Sequence, residues 1–246
     1  MSHGTILYRE ARGWGRCIPC RYSSAPCREH KPKRLTNAER EAFSLPEELK
    51  QILTGLMLGD LHAQKRTPNS NVRLLFEQGL VHEQYLMHLF ELFKSYCLAA
   101  PKMANRLPDK RTGNLYTRIT FRTFALPCFN EIYNLFYLEG VKTIPSNIGE
   151  LLTGLSLAYW LSDDGTFVKG RDIVIISTES YSESDVDLLI TVLSNKFGLK
   201  CRKDKHANGF RIVIVKSSLN KLQELVRSHL SSSMLHKIAN LRFASP

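Results

Sequence analysis

Helical and strand-like patterns occur along this chain in an order that is repeated once. Apolar residues at helical spacing run from Pro46 to Asp60, and a second such run ends at Asp164. After each run, the alternation of apolar and polar residues predicts two strands, a helix, two further strands and a final helix. A repeat of this length predicts an α+β fold with pseudo-twofold symmetry, in which one polypeptide contains two αββαββα halves.

The repeat divides the chain into an arm at 1–46, a first half at 47–145 and a second half at 146–246. In the first half, the predicted strands and helices span 61–66, 71–78, 82–96, 102–122 and 126–136. In the second half, they span 166–169, 172–177, 182–197, 200–204, 210–215 and 217–230. Turn residues such as the Thr-Pro-Asn-Ser run at 67–70 separate the paired strands.

Both apolar helices carry small residues four positions apart, at Gly55 and Gly59 in the first and at Ala158 and Ser162 in the second. Residues with this spacing share one helix face, and small side chains on that face allow two helix backbones to cross closely. Such a crossing would bring Asp60 and Asp164 together, each at the unfavourable negative end of a helix dipole. Two adjacent carboxylates repel each other unless a cation lies between them, so the pattern predicts a site for divalent cations.

The composition favours a nucleic-acid partner. The 246 residues include 34 Lys and Arg against 23 Asp and Glu, a formal net charge of +11, and such a surplus is typical of proteins that bind DNA or RNA. No stretch approaches the roughly 18 apolar residues of a membrane span, and no secretory signal is expected. The start of the chain is rich in Arg and poor in acids, which fits either an organellar transit peptide or a nucleic-acid-binding arm.

Three cysteines and one histidine lie close together near the start of the chain, at Cys17, Cys20, Cys27 and His30. Four ligands of this type could close a tetrahedral structural zinc site, and the alternative is reduced thiols in a flexible arm. The remaining cysteines are isolated in apolar surroundings, which predicts buried free thiols at Cys97, Cys128 and Cys201.

The strings that end at the two acids, LTGLMLGD and LAYWLSDDG, resemble the two motifs of the LAGLIDADG homing endonucleases. The segment KTIPSNI before the second motif is similar to that of the single-chain subfamily, and the resemblance covers about 47–240. It implies a saddle in which two antiparallel sheets follow the DNA major groove and the two motif helices form the central interface. It also implies a monomeric, intron-encoded enzyme of an organelle, with the mitochondrion favoured over the chloroplast. Such an enzyme cuts a specific double-stranded DNA site to leave 3′ overhangs, which promotes insertion of its intron.

The same resemblance implies which residues carry out cleavage. In this family the last acid of each motif coordinates divalent metal at the scissile phosphates, and these acids match Asp60 and Asp164. A lysine near each metal matches Lys142 and Lys237. Two or three Mg²⁺ ions suit an oxygen site with few protein ligands, because Mg²⁺ keeps several of its waters. The alternative on the same scaffold is an RNA-binding intron maturase or a component of an RNA–protein assembly.

Polar side chains on one face of the predicted strands are expected to contact DNA. The first-half candidates are His62, Gln64, Arg66, Arg73, Glu77, Lys110, Arg111, Tyr116, Arg118 and Arg122. The second-half candidates are Lys169, Arg171, Lys200, Arg202, Lys203, Lys205 and Arg211. Four of them are expected to touch phosphates rather than bases, namely Lys110, Arg111, Lys203 and Lys205.

Overall fold

The structure, a computed structural model, describes residues 34–105, 113, 116–207 and 209–239. The predicted zinc ligands Cys17, Cys20, Cys27 and His30 lie outside the described residues, as do the candidate DNA contacts Lys110 and Arg111. The other cysteines, Cys97, Cys128 and Cys201, are free, as the sequence predicts, but they are partly rather than fully buried. Burial raises the pKa of each thiol to about 11 or 12, so these groups stay protonated at neutral pH.

Residues 34–46 belong to the compact unit, which begins at Arg34. Helix α1 (Asn37–Glu41) in this segment begins with a capping box. The ring of Phe43 lies 5.7 Å from that of Tyr96. The arm predicted for 1–46 therefore includes a segment that packs against the core.

The helices in the described ranges follow the predicted order. They are α2 (Glu47–Leu58), α3 (Glu83–Phe93), α4 (Asn130–Phe136), α5 (Ile148–Leu151), α6 (Gly154–Asp164), α7 (Glu183–Phe197) and α8 (Leu219–Val226). After α8 the chain forms a 3-10 helix at Ser232–Lys237. The sequence pattern does not predict α1, α5 or this 3-10 helix, because each is too short to show a repeating apolar face. None of the described helices is long and apolar enough to cross a membrane.

The strands in the described ranges form two four-stranded antiparallel sheets, in the orders β1-β2-β4-β3 and β7-β8-β10-β9. The first sheet contains β1 (His62–Gln64), β2 (Arg73–Gly79), β3 (Lys102–Asn105) and β4 (Thr117–Arg122). The second contains β7 (Gly165–Val168), β8 (Ile173–Ser177), β9 (Cys201–His206) and β10 (Gly209–Ile214). A separate hairpin, which was not predicted, pairs β5 (Tyr137–Leu138) with β6 (Val141–Lys142). The α+β class, the antiparallel sheets and the duplicated order are thus confirmed.

One face of each sheet packs against helices. Leu74 and Phe76 of β2 are buried on the side of α3, and Ile212 of β10 is buried on the side of α7. The alternate residues of the same strands point to the opposite face, which carries Arg73 and Glu77 on β2, and Arg211 beside the buried Val213 on β10. Each sheet therefore has one polar face, and in the second sheet this polar face also includes apolar residues.

Helices α2 and α6 cross at the centre of this core. A Cβ atom on Gly55 would lie 2.0 Å from the backbone oxygen of Ser156, and one on Gly59 would lie 2.5 Å from Oδ2 of Asp163. The predicted close crossing is therefore present at the two glycines of α2, but their nearest neighbours on α6 are Ser156 and Asp163 rather than the predicted Ala158 and Ser162. Helix α2 ends at Leu58 rather than at Asp60, because the backbone of Gly59 leaves the helical region with φ −98° and ψ −136°.

Candidate active site

The crossing of α2 and α6 brings both candidate metal ligands to one end of the helix pair. Asp60 follows the last turn of α2 and is exposed, whereas Asp164 is the last residue of α6. Burial, and next the charge of Asp60, raise the pKa of Asp164 to about 7, and the ammonium groups of Lys142 and Lys237 oppose this rise. The two carboxylates are therefore close enough to repel each other.

Two lysines reach this site from outside the helix pair. Lys142, at the end of β6, donates hydrogen bonds from Nζ to the backbone oxygens of Gly59 at 2.6 Å and Leu61 at 3.1 Å. Lys237, in the 3-10 helix after α8, donates to the backbone oxygen of Asp163 at 3.4 Å. Each lysine thus contacts the residue that precedes a candidate metal ligand, so the two lysines occupy equivalent places in the two halves. Burial lowers the pKa of both lysines, and the nearby aspartates counteract that effect.

A third carboxylate, that of Asp163, adjoins the site. Its Oδ2 accepts a hydrogen bond of 3.1 Å from the backbone amide of Asp60. Its Oδ1 is buried and has no hydrogen-bond partner among the described residues, and the same holds for the hydroxyl of Tyr85, which interacts with it electrostatically. Burial, and next the charge of Asp60, hold the pKa of Asp163 well above its ordinary value. Sequence reasoning assigns no role to this residue.

Gln78 and Tyr181 are further polar side chains at the site that sequence reasoning does not identify. Nε2 of Gln78 donates to Oδ2 of Asp60 at 3.1 Å, and the hydroxyl of Tyr181 donates to the backbone oxygen of Leu58 at 2.8 Å. Gln78 lies two residues after the buried Phe76, on the same face of β2. A polar residue in an apolar series is the sequence signal that points to Gln78.

The polar face of the first sheet brings together most of the first-half DNA candidates. The strand register puts on this face His62, Gln64, Arg73, Glu77, Arg118 and Arg122. Lys102, which is not among the predicted candidates, joins them because it pairs with Thr120. Burial, and next the charges of Arg66 and Arg122, lower the pKa of Arg73. Positive charge is therefore concentrated on this face.

The structure does not bring Lys203 and Lys205 together with Arg202 and Arg211. The strand register places Lys205 opposite Phe210 and Lys203 opposite Ile212, on the face that packs against α7. Lys203 is also held there by acids. Its Nζ lies 2.6 Å from a carboxylate oxygen of Glu183 and 2.8 Å from one of Asp187. Adjacent strand residues point to opposite faces, so Lys203 turns away from the side of the sheet that carries Arg202. It is thus committed to ion pairs within the protein.

Several candidate arginines on the polar faces form ion pairs with acids, in the pairs Arg118–Glu77, Arg202–Asp204 and Arg211–Glu179. Six further described candidates are exposed, namely Arg66, Tyr116, Lys169, Arg171, Lys200 and Lys205. Arg66 follows β1, while Lys169 and Arg171 lie in the turn between β7 and β8. Contact of these residues with DNA stays a prediction.

Residues 50–222 match the sequence profile of the LAGLIDADG DNA endonuclease family. The chain is 28% identical over 201 residues to the cytochrome b mRNA maturase bI2 of Debaryomyces hansenii, with coverage of 80% of this chain and 75% of that protein. It is 32% identical over 201 residues to the maturase of the same name from Saccharomyces cerevisiae, with coverage of 77% of this chain and 47% of that protein. The chain thus spans about half the length of this second relative. Its structure is similar to that of the homing endonuclease I-WcaI bound to its DNA recognition sequence, with a TM-score of 0.75, 25% sequence identity, and coverage of 80% of this chain and 88% of that one.

Proposed function

The chain belongs to the LAGLIDADG DNA endonuclease family, and from this premise we propose that it is an intron-encoded homing endonuclease that cuts both strands of a specific DNA site. The main support for this proposal is the equivalent placement of the two lysines in the two halves. Lys142 contacts the residue before Asp60, and Lys237 contacts the residue before Asp164. Two such centres in one chain match the need to cut two antiparallel strands. The similarity to a homing endonuclease bound to DNA supports the same reading.

Asp60 and Asp164 would hold divalent cations next to the scissile phosphates. Within the described ranges, no group of three or more His, Cys, Asp or Glu side chains could hold a metal ion by itself. A site of few carboxylate oxygens suits Mg²⁺, which keeps several waters, and we propose two or three such ions. A cation between the two carboxylates would also relieve the repulsion through which Asp60 raises the pKa of Asp164. Bound Mg²⁺ would lower the pKa of an attacking water and stabilise the leaving oxygen.

The two lysines would act on the reacting groups from either side of the helix pair. Each ammonium is partly buried, is fixed by a backbone oxygen, and lies near the aspartates, which favour its charged form. A cation held in this way can orient the attacking water or stabilise the negative charge that develops on the phosphate. Lys142 and Lys237 would therefore assist both cleavage steps.

The polar faces of the two sheets would bind the DNA. Arginine and glutamine side chains can read guanine and adenine edges in the major groove, and unpaired basic side chains contribute salt-dependent contacts to phosphates. Arg118 and Arg211 are each oriented by a glutamate, which suits base reading. Arg66 and Arg122 lie close to Arg73 and suit contact with the phosphates of the DNA backbone.

We further propose that the enzyme acts as a monomer and leaves 3′ overhangs. A single chain supplies both sheets and both acids, so no second copy is needed to cut two strands. Relatives named as cytochrome b mRNA maturases support an organelle as its location, and we propose the mitochondrion. Zinc binding by Cys17, Cys20, Cys27 and His30 stays a prediction.

A cleavage assay tests the proposed function. The substrate is a duplex that carries the intronless junction of the host gene, incubated with purified protein and either Mg²⁺ or EDTA. We expect Mg²⁺-dependent cleavage of both strands, and we expect Asp164→Asn to bind this duplex without cutting it. Asp172→Asn removes an acid that is paired with Lys216 and serves as the matched control. Full cleavage by Asp164→Asn would refute the role of this acid.

An intron maturase is the second candidate function. The observation that favours it is the similarity to two proteins named as cytochrome b mRNA maturases. The experiment compares binding of the labelled intron RNA with binding and cleavage of the intronless duplex. Tight RNA binding that promotes splicing, without cleavage of the duplex, would replace the endonuclease proposal by this one.

A further inference from the structure

The two candidate metal ligands are held by different means. Helix α6 continues through Asp164, so the backbone of this residue has the support of a helical turn. Helix α2 ends at Leu58, and the backbone then turns out of the helix at Gly59. The amide of Asp60 is therefore outside the helix, and its hydrogen bond goes instead to Oδ2 of Asp163 at 3.1 Å.

The absence of a side chain at Gly59 makes room for the Asp163 carboxylate. A Cβ atom on Gly59 would lie 2.5 Å from Oδ2 of Asp163 and 2.6 Å from its Cβ. Gly59 and Asp163 are equivalent positions, since each precedes a candidate metal ligand. Because the two positions approach each other so closely, only one of them can carry a side chain. An enclosed carboxylate beside two other aspartates opposes folding. Its presence here therefore calls for a functional explanation.

We propose that Asp163 is a positioning residue for the reaction centre that contains Asp60. Its carboxylate oxygen takes the place of the helical hydrogen bond that the Asp60 amide lacks, and so fixes the backbone from which the Asp60 side chain extends. The centre that contains Asp164 has no such need, because α6 supports it. The two reaction centres are therefore unequal in construction. This inference rests on the proposed function, in which each centre serves one DNA strand.

The test measures the cleavage rate of each strand separately, with a different label on each strand of the duplex. Asp163→Ala and Asp163→Ser both remove the carboxylate that reaches the Asp60 amide, and either variant suffices if the other does not fold. We expect them to change the ratio of the two strand rates by about tenfold, so that nicked duplex accumulates. Asp163→Asn keeps an oxygen acceptor in the same place and should restore the wild-type ratio.

Thr54→Ala is the matched control, because it removes a buried hydroxyl of the same helix pair whose hydrogen bond goes to the backbone oxygen of Lys50 in its own helix. It should leave the strand ratio unchanged. A purely structural role of Asp163 predicts that both strands slow equally while thermal stability falls, and that result would overturn the inference, as would an unchanged ratio. A wild-type protein that cuts no duplex would overturn the proposed function as well. A wild type that cuts, with equal slowing of both strands by the truncation variants, would overturn only the role of Asp163.

Discussion

Replacement of Gly55 by alanine tests whether the crossing of α2 and α6 depends on the missing side chain. On an exposed helix this change would stabilise the protein by about 1 kcal/mol, because alanine has a higher helix propensity than glycine. In this structure the new Cβ would lie 2.0 Å from the backbone oxygen of Ser156. A backbone atom cannot rotate away as a side chain can, so the two helices would have to separate.

We therefore expect Gly55→Ala to destabilise the protein. Overpacking of a close-packed interior costs about 1–3 kcal/mol, and a clash with backbone belongs at the upper end of that range. After the gain in helix propensity is subtracted, the net loss is about 2 kcal/mol, which corresponds to a fall in Tm of about 4–8 °C for a chain of this size. Separation of the helices would also move Asp60 relative to Asp164, so DNA cleavage should decrease as well.

Thermal unfolding followed by circular dichroism measures this effect, and the cleavage assay is run on the same samples. Gly149→Ala in α5 is the matched control, because its Cβ would have an ordinary contact of 3.4 Å with a methyl group of Val192. The control should keep the wild-type Tm or raise it slightly. An unchanged or higher Tm for Gly55→Ala, with wild-type cleavage, would refute the reasoning about the crossing.

Two further predictions concern protonation and the faces of the sheets. The metal-free protein should lose stability as the pH rises from about 4 to 7. The pKa of Asp164 in the folded state is about 7, which is above that of an unfolded aspartate. Between these two pKa values the folded state binds more protons than the unfolded state, so raising the pH favours unfolding. Urea unfolding in EDTA should show a loss of at most about 4 kcal/mol from this residue, absent in Asp164→Asn, and stability that rises with pH would contradict the assignment. Lys203→Met should leave the salt dependence of DNA affinity unchanged, because Lys203 faces α7. Arg122→Met should weaken binding, because Arg122 lies on the polar face of the first sheet. Equal effects of the two variants in fluorescence anisotropy would contradict this assignment of the two residues to different faces.

The long elements of the fold are predictable from local patterns. The helix predicted at 182–197 is observed as Glu183–Phe197, since its capping box and apolar period are both encoded in adjacent residues. The polar face of β2 is equally predictable, because alternation alone fixes the side on which Arg73 and Glu77 lie. The hairpin of β5 and β6 is not, because strands of two residues show no alternation.

The candidate site is only partly predictable for a related reason. The motifs indicate Asp60 and Asp164, but the hydrogen bonds that Gln78 and Asp163 form with Asp60 join different elements of the fold. The hydrogen bond between Asp60 and Asp163 joins residues 103 positions apart, and no local pattern encodes it. It arises because α2 ends before its acid while α6 does not, a difference that depends on the backbone angles of Gly59.

The unequal pair of Gly59 and Asp163 limits how this chain can be rebuilt by gene fusion. Two copies of the second half would bring two aspartate side chains into a space that holds one, since even a single methyl group at Gly59 overlaps the Asp163 carboxylate. Two copies of the first half would leave both exposed acids without a carboxylate to hold their backbone amides. A fusion of two halves of this chain is therefore expected to need a glycine at the position that faces the aspartate.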